Sequence, residues 1–505
     1  MIRINAARRV VGLFALAALV ALAPAAVAQS IPGRIERLLM DPGLSGSRTG
    51  VVLLDPETGE AIAAVNADES LIPASNMKIL TSGAALAVLG RDFRFRTELV
   101  HDPEAAGANG AQGRIVLRGS GDPALADPEL LKSMKMTVED LLDAWVEAIK
   151  KASPLGVGEL VVDDRVFDRQ FVHPTWPVQQ LNRWYCAEVS GVNFHTNVLS
   201  IFTEPQGEGQ PPRLTLEPAA PWLSVRNKAR SVRTGNHTAW AARDLSTGAI
   251  TLHGDIRWAN DPVEVAMSDN AGFVGQLLAD RLARAGLRPA TVRSAEPDED
   301  LTKGKVIHAV VTDLATVLQR CNVDSHNLYA EALIKRLGRE VTGAPGSWSN
   351  GSAVLRMVLS QRLGARAGQT ITVADGSGMS RENRVTPRML ASWLASLASD
   401  PALARPFFES LPEAGEEGTL KKRFRGKELR YEVRAKSGYL TGVSSLSGMV
   451  SDRTSGRSVV FSVITNDKPN RVSLAAVRDM EEQVVVLAQE WLERQAGAER
   501  PRQGG

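Results

Sequence analysis

The chain has 505 residues, 44% hydrophobic and 23% charged, with 59 Lys+Arg against 57 Asp+Glu. These are globular proportions, which exclude wholesale disorder and collagen-like repeats and leave room for about two to four domains. A formal net charge of +2 gives no ground for a nucleic-acid partner, and two cysteines make no disulfide scaffold.

Arg3, Arg8 and Arg9 precede an apolar run from Val10 to about Ala23, and Ala26-Val27-Ala28 is a small-x-small cleavage site. Residues 1–28 therefore read as a secretory signal peptide, since a run of about 14 residues falls short of the ~20 needed to span a bilayer. No later stretch is long and apolar enough to suggest a membrane-spanning helix. Next come a short helix over Ile31 to Met40 and a hairpin over Gly50 to Val65 turning at Pro56-Glu57-Thr58-Gly59. A small-residue helix follows from the Ser75-Asn76 cap to about Leu89, closed by Gly90. From 96 to 295 short strand-like stretches alternate with Gly, Pro and Asp clusters, interrupted by helices at Val138–Ala152 and Asn270–Ala285. Helices return from about 305 to 365. Late strands lie at 431–440, 445–452 and 457–467, then a helix from Ser473 to about Gln495 and a polar tail, 496–505. This order predicts one α+β domain, 29–95 with 296–495, split by a β-rich insertion of one or two small domains at 96–295. Cys186 and Cys321 allow one disulfide or two thiols, and neither they nor the scattered histidines show metal-ligand spacing.

Three short motifs carry chemistry. Ser75-Asn76-Met77-Lys78 is S-x-x-K, which on a helix places hydroxyl and amine one turn apart on the same face. A serine is a weak nucleophile and needs a base beside it, and a lysine serves once its ammonium has lost a proton. Ser325-His326-Asn327 is S-x-N between two helices and can point a hydroxyl and an amide into one cleft. Ser268-Asp269-Asn270 has the same pattern but precedes a helix and reads as an N-cap. Lys436-Ser437-Gly438 lies on a strand, where Lys436 and Ser437 suit a carboxylate and Gly438 leaves room for a ligand backbone. Each motif alone is weak. Together, in this order and on these elements, they are the signature of penicillin-interacting serine enzymes.

The flanks LIPASNMKILTSGAAL, LRGSGDPAL, SHNLYAEAL, DGSGMSRENRVTP, LPEAGEEGTLKKRF and AKSGYLTGVSSLSGMV resemble the D-alanyl-D-alanine carboxypeptidase/endopeptidase family of the penicillin-binding protein 4 type. The resemblance runs from about 50 to 466. It implies a penicillin-recognising, β-lactamase-like transpeptidase domain, an antiparallel sheet flanked by helices, with extra domains inserted between the first two motifs. It also implies a periplasmic enzyme that acts on peptidoglycan stem peptides, is acylated by β-lactams, and needs no metal or cofactor. By the same resemblance Ser75 is the nucleophile and Lys78 the general base, while Ser325 and Lys436 relay the proton to the leaving amine. Asn327 orients substrate and Lys78, Ser437 holds the terminal carboxylate, and the backbone N–H groups of Ser75 and Tyr439, beside Gly438, form the oxyanion hole. Gln180, Tyr185, Met379, Arg381 and Thr441 match the pocket for the stem's free side-chain end.

Three positions depart from the family pattern. Gln180 stands where relatives place an acid, which removes a charge and shifts the expected preference toward a modified or cross-linked stem. Ser437 replaces the commoner Thr and keeps the hydroxyl. His326 replaces the commoner Asp and reads as a surface histidine. Two other classes fit the motifs less well: a catalytically quiet wall-binding protein, which has no use for an intact catalytic set, and a β-lactamase, for which no separate deacylating acid motif is found.

Overall fold

The computed structural model describes residues 30–106, 112–259 and 262–499, so the signal-peptide reading and the end of the tail lie outside the described residues. The chain forms two compact units. The first holds 30–80, 359–372 and 383–499, and the second holds 81–358 and 373–382.

The first unit is built on a five-stranded antiparallel sheet in the order Glu432–Leu440, Val443–Ser451, Ser458–Asn466, Arg48–Leu54, Ala61–Val65. The run Val51 to Leu54 is apolar at every position because its strand is buried on both faces. One face packs the helices Ile31–Leu39 and Leu474–Glu499, with Ile35, Val51, Leu446, Phe461, Val477, Val484 and Leu492 in a common core. The helix Pro387–Ala398, capped by Thr386, packs against the three strands Arg48–Leu54, Val443–Ser451 and Ser458–Asn466. The fold class is the expected one, a mixed α/β arrangement with helices on an antiparallel sheet.

In the second unit two β-α-β crossovers build a parallel core. Gln112–Arg118, Glu159–Asp163 and Thr291–Ser294 are parallel, and Arg94–Ala106 and Lys305–Asp313 add antiparallel strands at one side. Parallel neighbours need long connections, and the helices Val138–Ala152 and Asn270–Arg284 supply them. Both bury apolar stripes with Leu99, Ile115, Leu117, Trp145 and Leu160. The small sheets of residues 198–266 interrupt the second crossover and have their own core of Leu199, Ile201, Leu252, Ile256 and Val265. The stretch 305–313 is a strand, where helices were expected to resume. Its β-branched residues Val306, Val310, Val311 and Thr312 pair with Arg94–Ala106, and Ile307 lies at a bulge between Val306 and His308. A further helix, Pro128–Ser133, is capped by Asp127 within the stretch read as strands.

Candidate active site

In the first unit Ser75 lies in a 3-10 turn, Ala74–Asn76, directly ahead of the helix Met77–Leu89. Ala74 has φ +47, a left-handed conformation that costs a non-glycine residue about 1–3 kcal/mol and persists only where surroundings enforce it. The enforcement comes from the sheet. Ser445 Oγ donates to the Pro73 carbonyl at 2.7 Å, and Asn76 Nδ2 donates to Ser447 Oγ at 2.7 Å. Ser447 in turn donates to Ser462 Oγ at 2.9 Å. Ser445 and Ser447 are two apart on one strand and so project from the same face. Asn466 accepts from Ile72 N at 2.7 Å, and Trp393 Nε1 donates to the Ile79 carbonyl at 3.1 Å, so both ends of the turn are tied down.

The wholly buried Lys78 directs Nζ to Ser75 Oγ at 3.1 Å, within reach for proton transfer, and Ser75 itself is half-buried. The strand Glu432–Leu440 is the outer strand of its sheet; the outward groups at Val433 and Ala435 pair with Ala414 N and the Pro412 carbonyl, so it is the half of the strand toward Tyr439 that faces an extended peptide. It lies close against the serine turn. A Cβ on Gly438 would sit 2.9 Å from Ser75 N and 3.0 Å from the Pro73 carbonyl oxygen. Lys436 is buried with Nζ 2.9 Å from the Ser437 carbonyl, Ser437 is half-buried, and Tyr439 and Thr441 are exposed.

In the second unit Ser325 occupies the loop between the helices Leu314–Val323 and Asn327–Thr342, with φ +60. Asp127 holds that helix pair, accepting from Arg320 Nη2 at 2.8 Å and from the Tyr329 hydroxyl. Burial alone would raise the Asp127 carboxyl, but the Arg320 guanidinium and the Tyr329 hydroxyl hold it below its ordinary range. His326 is buried between Trp184 and Tyr329, at ring distances of 5.4 and 5.0 Å, which corrects its reading as a surface residue.

Asn327, Glu331 and Lys335 follow at i, i+4 and i+8 and form one stripe of their helix. Asn327 Nδ2 donates to the Tyr185 carbonyl at 2.8 Å. The wholly buried Glu331 accepts from Gly376 N at 3.0 Å, Ser377 N at 2.8 Å and Trp348 Nε1 at 2.7 Å. Lys335 Nζ donates to Asp168 at 2.8 Å and to the Gln170 carbonyl at 2.7 Å. Asp375 completes the loop, accepting from Gly378 N at 2.9 Å, Ser380 N at 2.6 Å and Trp176 Nε1 at 2.9 Å. Buried Met379 and exposed Arg381 ride on this pinned loop. Gln180, partly exposed, ends the short turn Val178–Gln180. Cys186 and Cys321 are both buried and do not bridge, and burial pushes the Cys186 thiol up to about 12. Asp269 caps the helix Asn270–Arg284, so the second S-x-N has the capping role expected of it.

Asp127, Asp375, Ser445 and Ser447 are supports that motif reading passes over. Glu331 had a signal, the N-x-x-x-E-x-x-x-K spacing after the S-x-N serine. Burial and the neighbouring Asp375 carboxyl push Glu331 up to about 7. Its unfolded carboxyl loses its proton near 4.5, so its stabilising contribution is full below 4.5 and is lost as pH rises to about 7. Glu331→Gln should flatten that fall, measured as denaturant midpoints from pH 4 to 8, and an unchanged slope would refute the assignment.

The D-Ala-D-Ala carboxypeptidase 3 (S13) family profile matches residues 32–491. The chain is 32% identical over 466 residues to a D-alanyl-D-alanine carboxypeptidase of Actinomadura sp. (strain R39), covering 87% of this chain and 82% of that protein. It is 24% identical over 427 residues to the D-alanyl-D-alanine carboxypeptidase DacB of Haemophilus influenzae, covering 82% and 85%. Its fold matches the crystal structure of penicillin-binding protein 4 (dacB) from Haemophilus influenzae with a TM-score of 0.73 at 21% identity, over 90% of this chain and 98% of that one.

Proposed function

The chain belongs to the D-Ala-D-Ala carboxypeptidase 3 (S13) family, and from that premise we propose a specific division of labour among its residues. The protein is a serine DD-peptidase that hydrolyses the terminal D-Ala-D-Ala bond of peptidoglycan stem peptides, D-Ala cross-links, or both, through an acyl-serine. Lys78, in its neutral form, takes the Ser75 proton across their 3.1 Å contact while Oγ attacks the carbonyl carbon of the penultimate D-Ala. The negative charge that develops on the carbonyl oxygen is met by the N–H groups of Ser75 and Tyr439. As the C–N bond breaks, the leaving amine of the terminal residue gains a proton through Ser325 and Lys436. Asn327 binds the substrate backbone and Ser437 the terminal carboxylate. Water then attacks the ester, and Ser75 recovers its proton as the acid leaves.

The observation that carries this reading is the Lys78–Ser75 contact on a turn fastened to the sheet by Ser445 and Ser447. A catalytically quiet wall-binding protein has no need of a buried lysine held against a serine on a strained turn. β-Lactams acylate the same serine because their strained amide mimics the dipeptide. One relative by fold, penicillin-binding protein 4 of Haemophilus influenzae, has been crystallised with a β-lactam. Tyr185, Met379, Arg381, Gln180 and Thr441 bind the free end of the stem side chain. The segment Met1 to Ala28 directs the chain to the periplasm.

The test is release of D-alanine from a pentapeptide ending in D-Ala-D-Ala and release of muropeptide monomers from a cross-linked muropeptide dimer. The mature protein, beginning at Gln29, should release at least one of these products, and Ser75→Ala should fall to the uncatalysed rate. Equal release by the variant would refute the assignment.

A further inference from the structure

Three tryptophans that a folded chain would ordinarily shield stand in or beside one groove of the second unit. Trp184, Trp240 and Trp258 are 37%, 44% and 48% exposed. The groove has a volume of about 480 Å³, and its lining includes Arg183, Trp184, Tyr185, His237, Trp240 and Glu264. Trp258 joins it through His237, on which it stacks at 5.1 Å and 29°, with the Arg257 guanidinium 5.4 Å from the indole. Trp240 stacks on His253, its cross-strand partner, at 4.4 Å and 10°. Each of these two indoles is thus braced by an imidazole while much of its surface stays open to solvent. Exposed aromatics scattered singly need no explanation, but a cluster around one concave site marks a binding surface.

The lining selects the ligand class. The face of an indole carries the negative part of its quadrupole and attracts the weakly positive C–H bonds on the face of a pyranose ring. Arg183, His237 and Glu264 offer donors and acceptors of both signs, which suit hydroxyl and acetamido groups. The same mixture suits neither the phosphate backbone of a nucleic acid nor the apolar stripe of a docking helix.

The groove is continuous with a loop already placed in the candidate site. Asn182 Nδ2 donates to the Ala241 carbonyl at 2.9 Å, Arg243 Nη2 donates to the Leu181 carbonyl at 3.0 Å, and Ala266 N donates to the Asn182 carbonyl at 3.0 Å. The strand carrying Trp240 is thereby fastened to the segment carrying Tyr185, whose carbonyl is held by Asn327. The stem peptide of peptidoglycan is covalently attached to an amino-sugar chain. We propose that this groove binds the glycan strand of the substrate, with Trp240 and Trp258 as stacking platforms. The proposal rests on the DD-peptidase reading and adds to it a second, carbohydrate subsite.

The test uses Trp240→Ala, Trp258→Ala and the double variant in the mature chain that begins at Gln29. The binding probe is stem-free glycan, alternating N-acetylglucosamine and N-acetylmuramic acid strands released by an amidase, titrated by calorimetry. Kinetics are compared on glycan-linked pentapeptide chains and on the free pentapeptide. The parent should bind the stem-free strands. The double variant should lose that binding and lose roughly tenfold in kcat/KM on the glycan-linked substrate, mainly through KM. Its turnover of free pentapeptide and its labelling by penicillin should not change, which also verifies its folding. If the double variant fails to label, the single variants give the same reading with smaller losses. Failure of the parent to bind stem-free glycan, or equal losses on both substrates, overturns the proposal. Failure of the parent to cleave either free pentapeptide or a cross-linked muropeptide dimer overturns the DD-peptidase reading instead, and the titration still decides the glycan site.

Discussion

Lys78→Ala should slow acylation of Ser75 by roughly 10²–10⁴-fold, the range over which a positioned general base contributes. The expectation follows from the geometry of one turn. Lys78 Nζ lies 3.1 Å from Ser75 Oγ, and the lysine is wholly buried. Removing the amine leaves the hydroxyl in place with no adjacent acceptor for its proton at that contact. Lys78→Arg should not restore the rate, because a guanidinium stays protonated and cannot act as a base. The measurement is stopped-flow acylation by a chromogenic β-lactam, with circular dichroism to verify folding. A rate within about threefold of the parent, where general-base catalysis predicts at least a hundredfold loss, would remove Lys78 from the role of base.

Gly438→Ala is expected to have an effect of comparable size for a different reason. The added methyl would lie 2.3 Å from Ser445 Oγ, 2.9 Å from Ser75 N and 3.0 Å from the Pro73 carbonyl oxygen. Two of those three atoms are backbone and cannot rotate away. The third is the hydroxyl that fastens Pro73 to the sheet. Either the strand Glu432–Leu440 moves off the turn or the turn yields. Overpacking of this kind costs about 1–3 kcal/mol of stability. The catalytic loss should be larger in proportion, because displacement of reacting groups by about 1 Å can cost 10²-fold in rate. Gly207→Ala is the matched control, since its added methyl would meet only Gln210 Cγ at an ordinary 3.5 Å. Gly438→Ala acylating at the parental rate would contradict the close approach described here.

The candidate motifs of this chain are legible because they are local. S-x-x-K, S-x-N and K-S-G are short and ordered, and each needs only its own helix, loop or strand. The hairpin, the helix ending at Leu89 and the helix Val138–Ala152 follow from turn residues, caps and periodicity in the same way. What was not legible depends on partners distant in sequence. The spacing after the S-x-N serine singles out Glu331, but nothing near it in sequence shows that Gly376, Ser377 and Trp348 donate to it. Ser445 and Ser447 look like polar interruptions of a strand until the serine turn is seen hanging from them. The burial of His326 is not legible because a histidine in a loop has no pattern that distinguishes exposure from burial against Trp184 and Tyr329. The strand Lys305–Asp313 differs: its β-branched run is a local signal, but it runs directly into helical segments that mask its boundary.

The central claim is that Ser75 is the acylated nucleophile. The most direct measurement is intact mass and peptide mapping of the chain from Gln29 onward after incubation with benzylpenicillin, beside its Ser75→Ala variant. One adduct of the antibiotic's mass, confined to the peptide that contains Ser75, persisting over minutes and absent from the variant, is the predicted result. A folded parent that takes no adduct, or an adduct that maps elsewhere or survives in Ser75→Ala, would contradict it.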